Sequence, residues 1–265
     1  MVDLTDLLTD LAEESADLDA LVAPLTAADW ARPTPAPGWS IGHQIAHLAW
    51  TDHVALLAAT DEEAFYATVT AAPDVTRMVD AGAEEFLAPP AELLVRWRAG
   101  RVALADALAA VPVGTKLPWY GTRMSPTSMV TARLMETWAH GEDVADTLGV
   151  VRPASDRLRH VAHLGVRTLG HGFAAHGREA PTTPVRVELT APDGGTWSWG
   201  PADAADRLSG PARDFCLLVT QRRHRADLAL LATGPVADEW LDVAQAFAGP
   251  PGDGREPTSG NGVRA

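Results

Sequence analysis

The feature that most constrains the fold is a change in the spacing of apolar residues near residue 180. Before this point, apolar side chains recur every three or four positions, as in "LTDLLTDLAEES", which is typical of amphipathic α-helices. After "GREAPTTP", the stretch "VRVELT" alternates apolar and polar residues, which indicates a β-strand. The chain is therefore predicted to combine a large helical part with a smaller mixed part.

Start and stop signals divide the first part into helices. Ser40 is a suitable N-cap for a helix of about 41–60, and Ser125-Pro126 begins another that ends at Gly149. Further helices are predicted at about 4–22, 74–87, 90–110 and 154–175. The stretches "RPTPAPGW" and "VPVGTKLPWYGTRMSP" contain many helix breakers and are predicted to be loops. Four main helices and a fifth predict an antiparallel bundle.

The second part is predicted to be a small α+β domain. "VRVELT" and "TWSW" form a strand pair around the turn "APDGG", and "DLALLATG" is a third strand. Helices are expected at about 211–222 and in "PVADEWLDVAQAF". We therefore predict a mainly α chain with a helical bundle at 1–178, an α+β domain at 179–249 and a disordered tail at 250–265.

Charge and composition narrow the possible partners and the compartment. The net charge of −14 is unfavourable for binding nucleic acid or an anionic membrane, so we expect neither. No basic leader precedes an apolar run, and no run approaches the ~18 residues of a membrane span, which predicts a cytoplasmic protein. We expect a monomer or a homodimer. The single cysteine, Cys216, lies in the apolar run "DFCLLV", which favours a buried side chain over a nucleophile.

The sequence also places potential metal ligands on two of the helices. In "RLMETWAHGEDV", Glu136 and His140 are four residues apart and share one helix face. In "GWSIGHQIAHLAWTD", His43 and His47 have the same spacing on a helix that is apolar on both sides. If His47 meets Glu136 and His140 in the core, two imidazoles and a carboxylate suit a zinc-like divalent cation with open positions. Asp143, one turn beyond His140, could hold its second nitrogen.

Other interpretations of these residues remain open at this stage. Glu136 and His140 could form a solvated surface pair, and a histidine on an apolar helix face could simply be a core residue. His43 could support the site or only pack. A further polar stripe on the helix at about 154–175 suggests a solvated or interdomain face, and we leave it out of the ligand set; it consists of His160, His163, Arg167 and His171.

Two stretches carry a resemblance to a known family. "PAPGWSIGHQIAHLAWTD" and "RLMETWAHGEDVADTLG" resemble the metal-site signature of DinB-like bundle proteins, and in particular the N-terminal domain of mycothiol-dependent maleylpyruvate isomerases. The resemblance implies a DinB-like antiparallel four-helix bundle followed by a small α+β domain. It implies His47, Glu136 and His140 as metal ligands, and Arg222 or Arg223 as the arginine that the second domain contributes to the site. "SGPARDFCLLVTQRRH" resembles a subgroup of actinobacterial metal-binding proteins.

The family resemblance also implies a chemistry. It favours a mycothiol-dependent transferase or isomerase in which a divalent metal, expected to be zinc, presents a thiolate to a small electrophilic substrate. Because no cysteine of the chain has a convincing catalytic setting, the thiol has to come from a separate molecule. A metal-dependent hydrolase on the same site and a non-catalytic metal-binding protein remain alternatives. The C-terminal part also resembles a segment found with wyosine-base formation in tRNA, which the acidic charge disfavours as an RNA contact.

Overall fold

The computed structural model describes residues 3–71 and 75–258, which form two compact units that divide between Arg152 and Pro153. Within the described residues, the first unit contains helices α1 to α7 and a two-stranded hairpin. The helices are α1 (Leu4–Val22), α2 (Ala27–Trp30), α3 (Ile41–Thr60), α4 (Glu62–Ala71), α5 (Val75–Phe86), α6 (Pro90–Ala110) and α7 (Pro126–Leu148). No helix in these described ranges is long and apolar enough to cross a membrane.

The four long helices α1, α3, α6 and α7 form a bundle with α3 packed between α6, α5 and α7. His47 of α3 faces Glu136 of α7, whereas Asp52 faces Arg133, so the two helices run in opposite directions. An apolar cluster in the core includes Leu18, Ile41, Ile45, Leu48, Leu93, Trp97 and Val144. The predicted helical bundle is therefore confirmed, as is the mainly α fold with a small α+β part.

Capping residues fix where the two site-bearing helices begin and end. The Ser40 side chain accepts a hydrogen bond from the backbone N–H of His43 at the start of α3. Ser125 does the same for Ser128 at the start of α7, where Pro126 takes the first helical position. Gly149 ends α7 with a φ of 71°, in the left-handed region that glycine adopts most easily. The sequence therefore predicted all three helix ends correctly, at Ser40, Ser125 and Gly149.

Two regions of the first unit, residues 62–86 and the segment before α7, differ from the sequence prediction. The helix expected from Asp74 is observed as α5 from Val75, with Asp74 outside the described residues, and α4 was not predicted. The predicted loop before α7 contains an antiparallel hairpin of β1 (Leu117–Trp119) and β2 (Thr122–Met124). Three-residue strands are too short to produce a readable alternation, and this hairpin is stabilised instead by aromatic packing of Trp119 on Phe65.

The second unit is an α+β structure built on a four-stranded sheet. Its elements are α8 (Leu158–Arg167), α9 (Leu169–Ala175), β3 (Val185–Thr190), β4 (Thr196–Trp199), β5 (Asp206–Pro211), α10 (Ala212–Val219), β6 (Leu231–Thr233) and α11 (Pro235–Val243). The strand order is β4-β3-β5-β6, with β3 and β5 parallel and the other pairs antiparallel. Strand β5 was not predicted, because its "DRLSGP" sequence ends in glycine and proline.

The unit boundary lies earlier than the predicted one at residue 178. Helices α8 and α9 belong to the second unit, because α8 packs on α10 so closely that a Cβ on Gly165 would lie 2.8 Å from Val219. The predicted helix at 154–175 is interrupted at Thr168, whose hydroxyl donates to the Leu164 carbonyl. In the predicted tail, residues 250–258 have no long element, and residues 259–265 lie outside the described ranges.

Candidate metal centre

Three side chains from two neighbouring helices direct their ligand atoms to one place in the first unit. His47 lies on α3, and Glu136 and His140 lie one turn apart on α7. The Nε2 atom of His47 is 3.2 Å from Oε2 of Glu136, and Nε2 of His140 is 3.1 Å from the same oxygen. One ligand atom from each residue lies within 4.8 Å of the other two. The structure thus brings together the three residues that the sequence selected as ligands.

The spacing of these atoms fits a metal-ligand set. Two ligand atoms at zinc distances of about 2.0–2.1 Å and a tetrahedral angle lie about 3.3 Å apart. The two nitrogen–oxygen distances here are 3.2 and 3.1 Å. Two imidazoles and one carboxylate are a donor set that zinc and similar divalent ions accept, and they leave coordination positions for other ligands. The residues present therefore fit a divalent metal ion.

The carboxyl of Glu136 stays ionised in this setting. Burial alone would raise its pKa, but hydrogen bonding to His140 and His47, together with the charge of Arg133, lowers that pKa well below its usual range. The ionised carboxylate is the form that binds a cation.

The hydrogen-bond partners of Gln44 determine which nitrogen of His140 carries its proton. The Thr34 hydroxyl donates to the Trp39 carbonyl at 2.9 Å, so its oxygen accepts from Nε2 of Gln44 at 2.8 Å. The amide oxygen of Gln44 therefore faces His140, whose Nδ1 donates to it at 2.5 Å. This arrangement leaves the lone pair of Nε2 directed at Glu136. Two acceptors 3.1 Å apart need a cation between them, either a proton or a metal ion.

The partner of His140 differs from the one that the sequence suggested. We predicted that Asp143 would hold the second nitrogen of His140, and the structure places the fully buried Gln44 there. The difference arises because α3 supplies this contact from across the bundle, which spacing along α7 does not reveal. Asp143 is fully buried on α7, and its support of the site stays a prediction.

The indole of Trp39 covers one side of the ligands. Its ring centroid lies 5.2 Å from that of His47 and 5.9 Å from that of His140, and it is nearly parallel to the latter, at 19°. The Trp39 Nε1 atom donates to Asp80 of α5 at 2.9 Å, which fixes the position of the indole. The Pro-rich loop thereby supplies an aromatic wall that restricts access of water to the imidazoles.

A cleft of about 390 Å³ opens beside this indole. Its wall is formed by the end of the Pro-rich loop, the start of α3 and one face of α5; the lining residues are Pro37, Gly38, Trp39, His43, Asp80, Ala81 and Glu84. The three candidate ligands do not line this cleft themselves, and Trp39 is the residue that contacts both the cleft and the imidazoles.

His43 has a structural role that its spacing did not reveal. Its Nδ1 atom accepts from the backbone N–H of Ser40 at 3.2 Å, which completes a capping box at the start of α3, and also contacts the Ser40 hydroxyl at 2.8 Å. Its Nε2 atom contacts Glu84 of α5 at 3.1 Å. Both ring nitrogens are therefore engaged away from the three candidate ligands, and the support of the site by His43 stays a prediction.

A buried ion pair lies one turn from the candidate ligands and joins the same two helices. Arg133 of α7 donates to Asp52 of α3 at 3.2 Å and to the Thr51 hydroxyl at 2.6 Å. The Thr51 hydroxyl in turn donates to the His47 carbonyl at 2.9 Å. Burial raises the pKa of Asp52, and Arg133 opposes that rise. The pair fixes the register of α3 against α7, and with it the distance from His47 to Glu136.

The second unit contains the remaining residues that the sequence singled out. Arg222 donates to the Thr220 carbonyl at 2.7 Å, and Arg223 donates to the Arg222 carbonyl and lines a cavity within this unit. The stripe on the predicted helix at 154–175 makes separate contacts: His163 accepts a hydrogen bond from Trp199 at 3.2 Å, and His171 contacts the Phe247 carbonyl. The part played by Arg222 or Arg223 in the site stays a prediction.

Four supporting residues were not selected from the sequence. Gln44 is one turn before His47 in "GHQIAH", and its position between two histidines was the available signal. Thr34, Trp39 and Arg133 act through contacts across the loop and the bundle, for which the sequence offers no spacing signal. These contacts depend on how α3, α7 and the Pro-rich loop pack together.

Comparison with known proteins assigns the family. Residues 11–145 match the mycothiol maleylpyruvate isomerase N-terminal domain, and residues 181–233 match the family described as wyosine base formation. Two proteins from two strains of Mycobacterium tuberculosis, both described as uncharacterized, are 58% identical over 257 residues, which cover 96% of this chain and 100% of theirs.

Two solved structures share the fold. The crystal structure of the mycothiol-dependent maleylpyruvate isomerase superposes with a TM-score of 0.59 at 15% identity and covers 89% of this chain and 96% of that one. A histidine-to-alanine mutant of that enzyme gives a TM-score of 0.58 at 17% identity, covering 83% and 90%. Because the N-terminal match spans about half of the chain, the protein belongs to the family of the mycothiol maleylpyruvate isomerase N-terminal domain.

Proposed function

We propose that the protein is a mycothiol-dependent transferase or isomerase that acts on a small electrophilic molecule with a divalent metal ion held by His47, Glu136 and His140. The observation that carries this proposal is the convergence of two imidazole nitrogens on one carboxylate oxygen at 3.2 and 3.1 Å. Membership of the mycothiol maleylpyruvate isomerase family supports the thiol and the enzymatic role. Zinc is the expected ion, because it accepts nitrogen and oxygen ligands in this number.

A bound divalent ion with an open position would make a coordinated thiol lose its proton near neutral pH. Residues of the protein set the orientation, the charge and the water access of this site. Gln44 directs the lone pair of His140 inward, the ionised carboxylate of Glu136 adds negative charge to the ligand set, and Trp39 limits the access of water. The cleft beside Trp39 offers space for the thiol or the electrophile.

The thiol is expected to come from a separate molecule. Cys216 is fully buried in the second unit, and its Sγ atom donates to the Leu158 carbonyl at 3.5 Å. A thiol in this position has no access to a substrate. Arg222 or Arg223 would bind an anionic group of the thiol or the substrate, since a guanidinium can hold a carboxylate by two hydrogen bonds.

Other functions remain as alternatives to the thiol reaction. The same three ligands could activate water and support hydrolysis, or could hold a metal without catalysis. The match of residues 181–233 to the wyosine base formation family raises an RNA-linked role. The net charge of −14 disfavours RNA because phosphate backbones are bound chiefly by basic surfaces. We also propose a cytoplasmic location and a monomeric or homodimeric state.

Calorimetric titration of mycothiol into zinc-loaded and metal-free protein tests the proposal. We expect saturable binding to the zinc-loaded protein and much weaker binding to the metal-free form. His140→Ala should lose both zinc and thiol binding. His53→Ala is the matched control, because His53 is an exposed histidine on α3, the helix that carries His47, and contacts Phe86. Equal mycothiol affinity in both metal states would refute the thiolate reaction, and turnover without thiol would favour the hydrolase.

A further inference from the structure

The exposed face of helix α8 carries a row of basic side chains that the proposed metal chemistry does not use. Arg159, His163 and Arg167 are four residues apart, and all three are exposed. Because a helix turns by about 100° and rises about 1.5 Å per residue, the three lie on one stripe about 12 Å long. We call these three residues the α8 row.

The opposite face of α8 fixes the helix within the second unit. Its buried residues are Leu158, Val161, Ala162 and Gly165, and the helix packs on α10. The contact is close, since a Cβ on Gly165 would lie 2.8 Å from a methyl group of Val219. The α8 row therefore stands on a helix whose rotation is set by the core, so the three side chains are held on the solvent side.

The two arginines of the row have no carboxylate partner in the part of the chain that the structure describes. Neither Arg159 nor Arg167 forms an ion pair with any residue of 3–71 or 75–258. Other arginines of the same unit are neutralised: Arg178 pairs with Glu239, and Arg225 pairs with two aspartates of α11. The α8 row is therefore a patch of uncompensated positive charge in a chain whose net charge is −14.

The histidine between the two arginines is held as a neutral hydrogen-bond donor. Nε1 of Trp199, at the end of β4, donates to Nδ1 of His163 at 3.2 Å, so the neutral ring carries its proton on Nε2. Burial lowers the pKa of His163, and the positive charges of three neighbours lower it further: Arg167, His160 and Arg159. The row thus combines two charged guanidiniums with one oriented N–H donor between them.

We propose that the α8 row binds a small molecule with two or more linked phosphate groups, held by Arg159, Arg167 and the Nε2–H of His163. A guanidinium holds a phosphate by two parallel hydrogen bonds. Because the arginines start about 12 Å apart along the helix, linked phosphates can contact both at a smaller cost in side-chain ordering than one phosphate can. The acidic net charge disfavours a long nucleic acid, which favours a small ligand. This site does not depend on the metal and would stand if the metal chemistry failed.

The test is calorimetric titration of sodium pyrophosphate into the metal-free, full-length protein. Sodium phosphate is titrated in parallel, and sodium chloride at equal ionic strength is the reference. We expect saturable binding of pyrophosphate and weaker binding of phosphate. Arg159→Gln and Arg167→Gln should each weaken pyrophosphate binding about threefold or more, because each removes a charged donor at an exposed position. Exposed replacements of this kind have little effect on folding, so both variants can be measured.

Two control variants make the result specific. Arg178→Gln removes an arginine of the same unit that is already paired with Glu239, so it should bind pyrophosphate like the wild type. His47→Ala should also bind it normally, which separates this site from the metal centre.

Three outcomes would overturn the proposal. The first is no saturable binding of pyrophosphate, or wild-type affinity in both Arg159→Gln and Arg167→Gln. The second is equal affinity for phosphate and pyrophosphate, which would remove the need for linked phosphates. The third is tighter binding of a short single-stranded RNA than of pyrophosphate, which would assign the α8 row to nucleic acid instead of a small molecule.

Discussion

Replacing Gln44 by leucine tests whether its hydrogen bond orients His140 for metal binding. Gln44 is fully buried, and its amide oxygen is the acceptor for Nδ1 of His140 at 2.5 Å. Leucine has a similar volume but no acceptor, so the Nδ1–H would be left unpaired in the core. Such a loss costs about 1–3 kcal/mol. Loss of the group that orients a metal-bound histidine lowers metal affinity by about 10–100-fold, which corresponds to about 1.4–2.8 kcal/mol.

The assay is competition for zinc between the protein and a chromophoric chelator at fixed pH. Gln44→Leu should bind zinc about 10–100-fold more weakly than the wild type. Gln44→Glu keeps an acceptor for His140 but loses the donor to Thr34, so it should retain most of the affinity. Thr34→Val removes the acceptor for the Gln44 amide but leaves the amide oxygen available to His140, so it should weaken zinc binding less than Gln44→Leu does. Unchanged zinc affinity in Gln44→Leu would refute the assigned role of this hydrogen bond.

Three further predictions concern stability and use denaturant or thermal unfolding of the metal-free protein. Arg133→Met leaves Asp52 buried without its arginine and should destabilise the fold by about 3–5 kcal/mol. Adding Asp52→Leu should restore much of that loss, and equal stability of the single and the double variant would contradict this reasoning. Gly82→Ala should destabilise the bundle by about 1–3 kcal/mol, because its Cβ would lie 2.3 Å from the Trp50 ring; wild-type stability would show that the indole moves without cost. The pKa of Asp19 is lowered, chiefly by its hydrogen bond to Arg98 of α6. Its stabilising effect should therefore be full above the unfolded-state pKa of about 3.9 and should be lost as the pH falls through the lower folded-state pKa. The stability difference between wild type and Asp19→Asn should shrink over that acidic range, and a constant difference would count against the ion pair.

The sequence predicted the helices that carry the site because their signals are local. Ser40, Ser125 and Gly149 determine where α3 and α7 begin and end, and each acts on residues within one turn of itself. The four-residue spacing of Glu136 and His140 is also a local property of one helix. Such features can be read without knowing what a helix packs against.

The contacts that support the site were not predictable in the same way. Gln44 reaches His140 across 96 positions of sequence, and Arg133 reaches Asp52 across 81. Both contacts depend on the register between antiparallel helices, which spacing along one helix does not determine. The contacts of His43 are of two kinds, because its ring nitrogens are engaged by a local capping contact with Ser40 and by a contact with Glu84 of α5 across the bundle.

The boundary between the two units illustrates the same limit. The spacing of apolar residues showed that 154–175 is largely helical, but it could not show which part of the chain these helices pack against. The close approach of Gly165 to Val219 places α8 in the second unit, and this approach is possible only because position 165 has no side chain. A glycine in a helix interior, which costs helix propensity, was the available signal for such a close contact.

The most direct test of the central claim is X-ray absorption at the zinc edge, measured on zinc-loaded protein before and after addition of mycothiol. Before addition, we expect nitrogen and oxygen ligands alone, at about 2.0–2.2 Å, and His140→Ala should lack this signal. After addition, one sulfur should appear at about 2.3 Å, since the only cysteine of the chain lies buried in the second unit. A spectrum that gains no sulfur at saturating mycothiol, or that is unchanged in His140→Ala, would contradict the metal-bound thiolate at His47, Glu136 and His140.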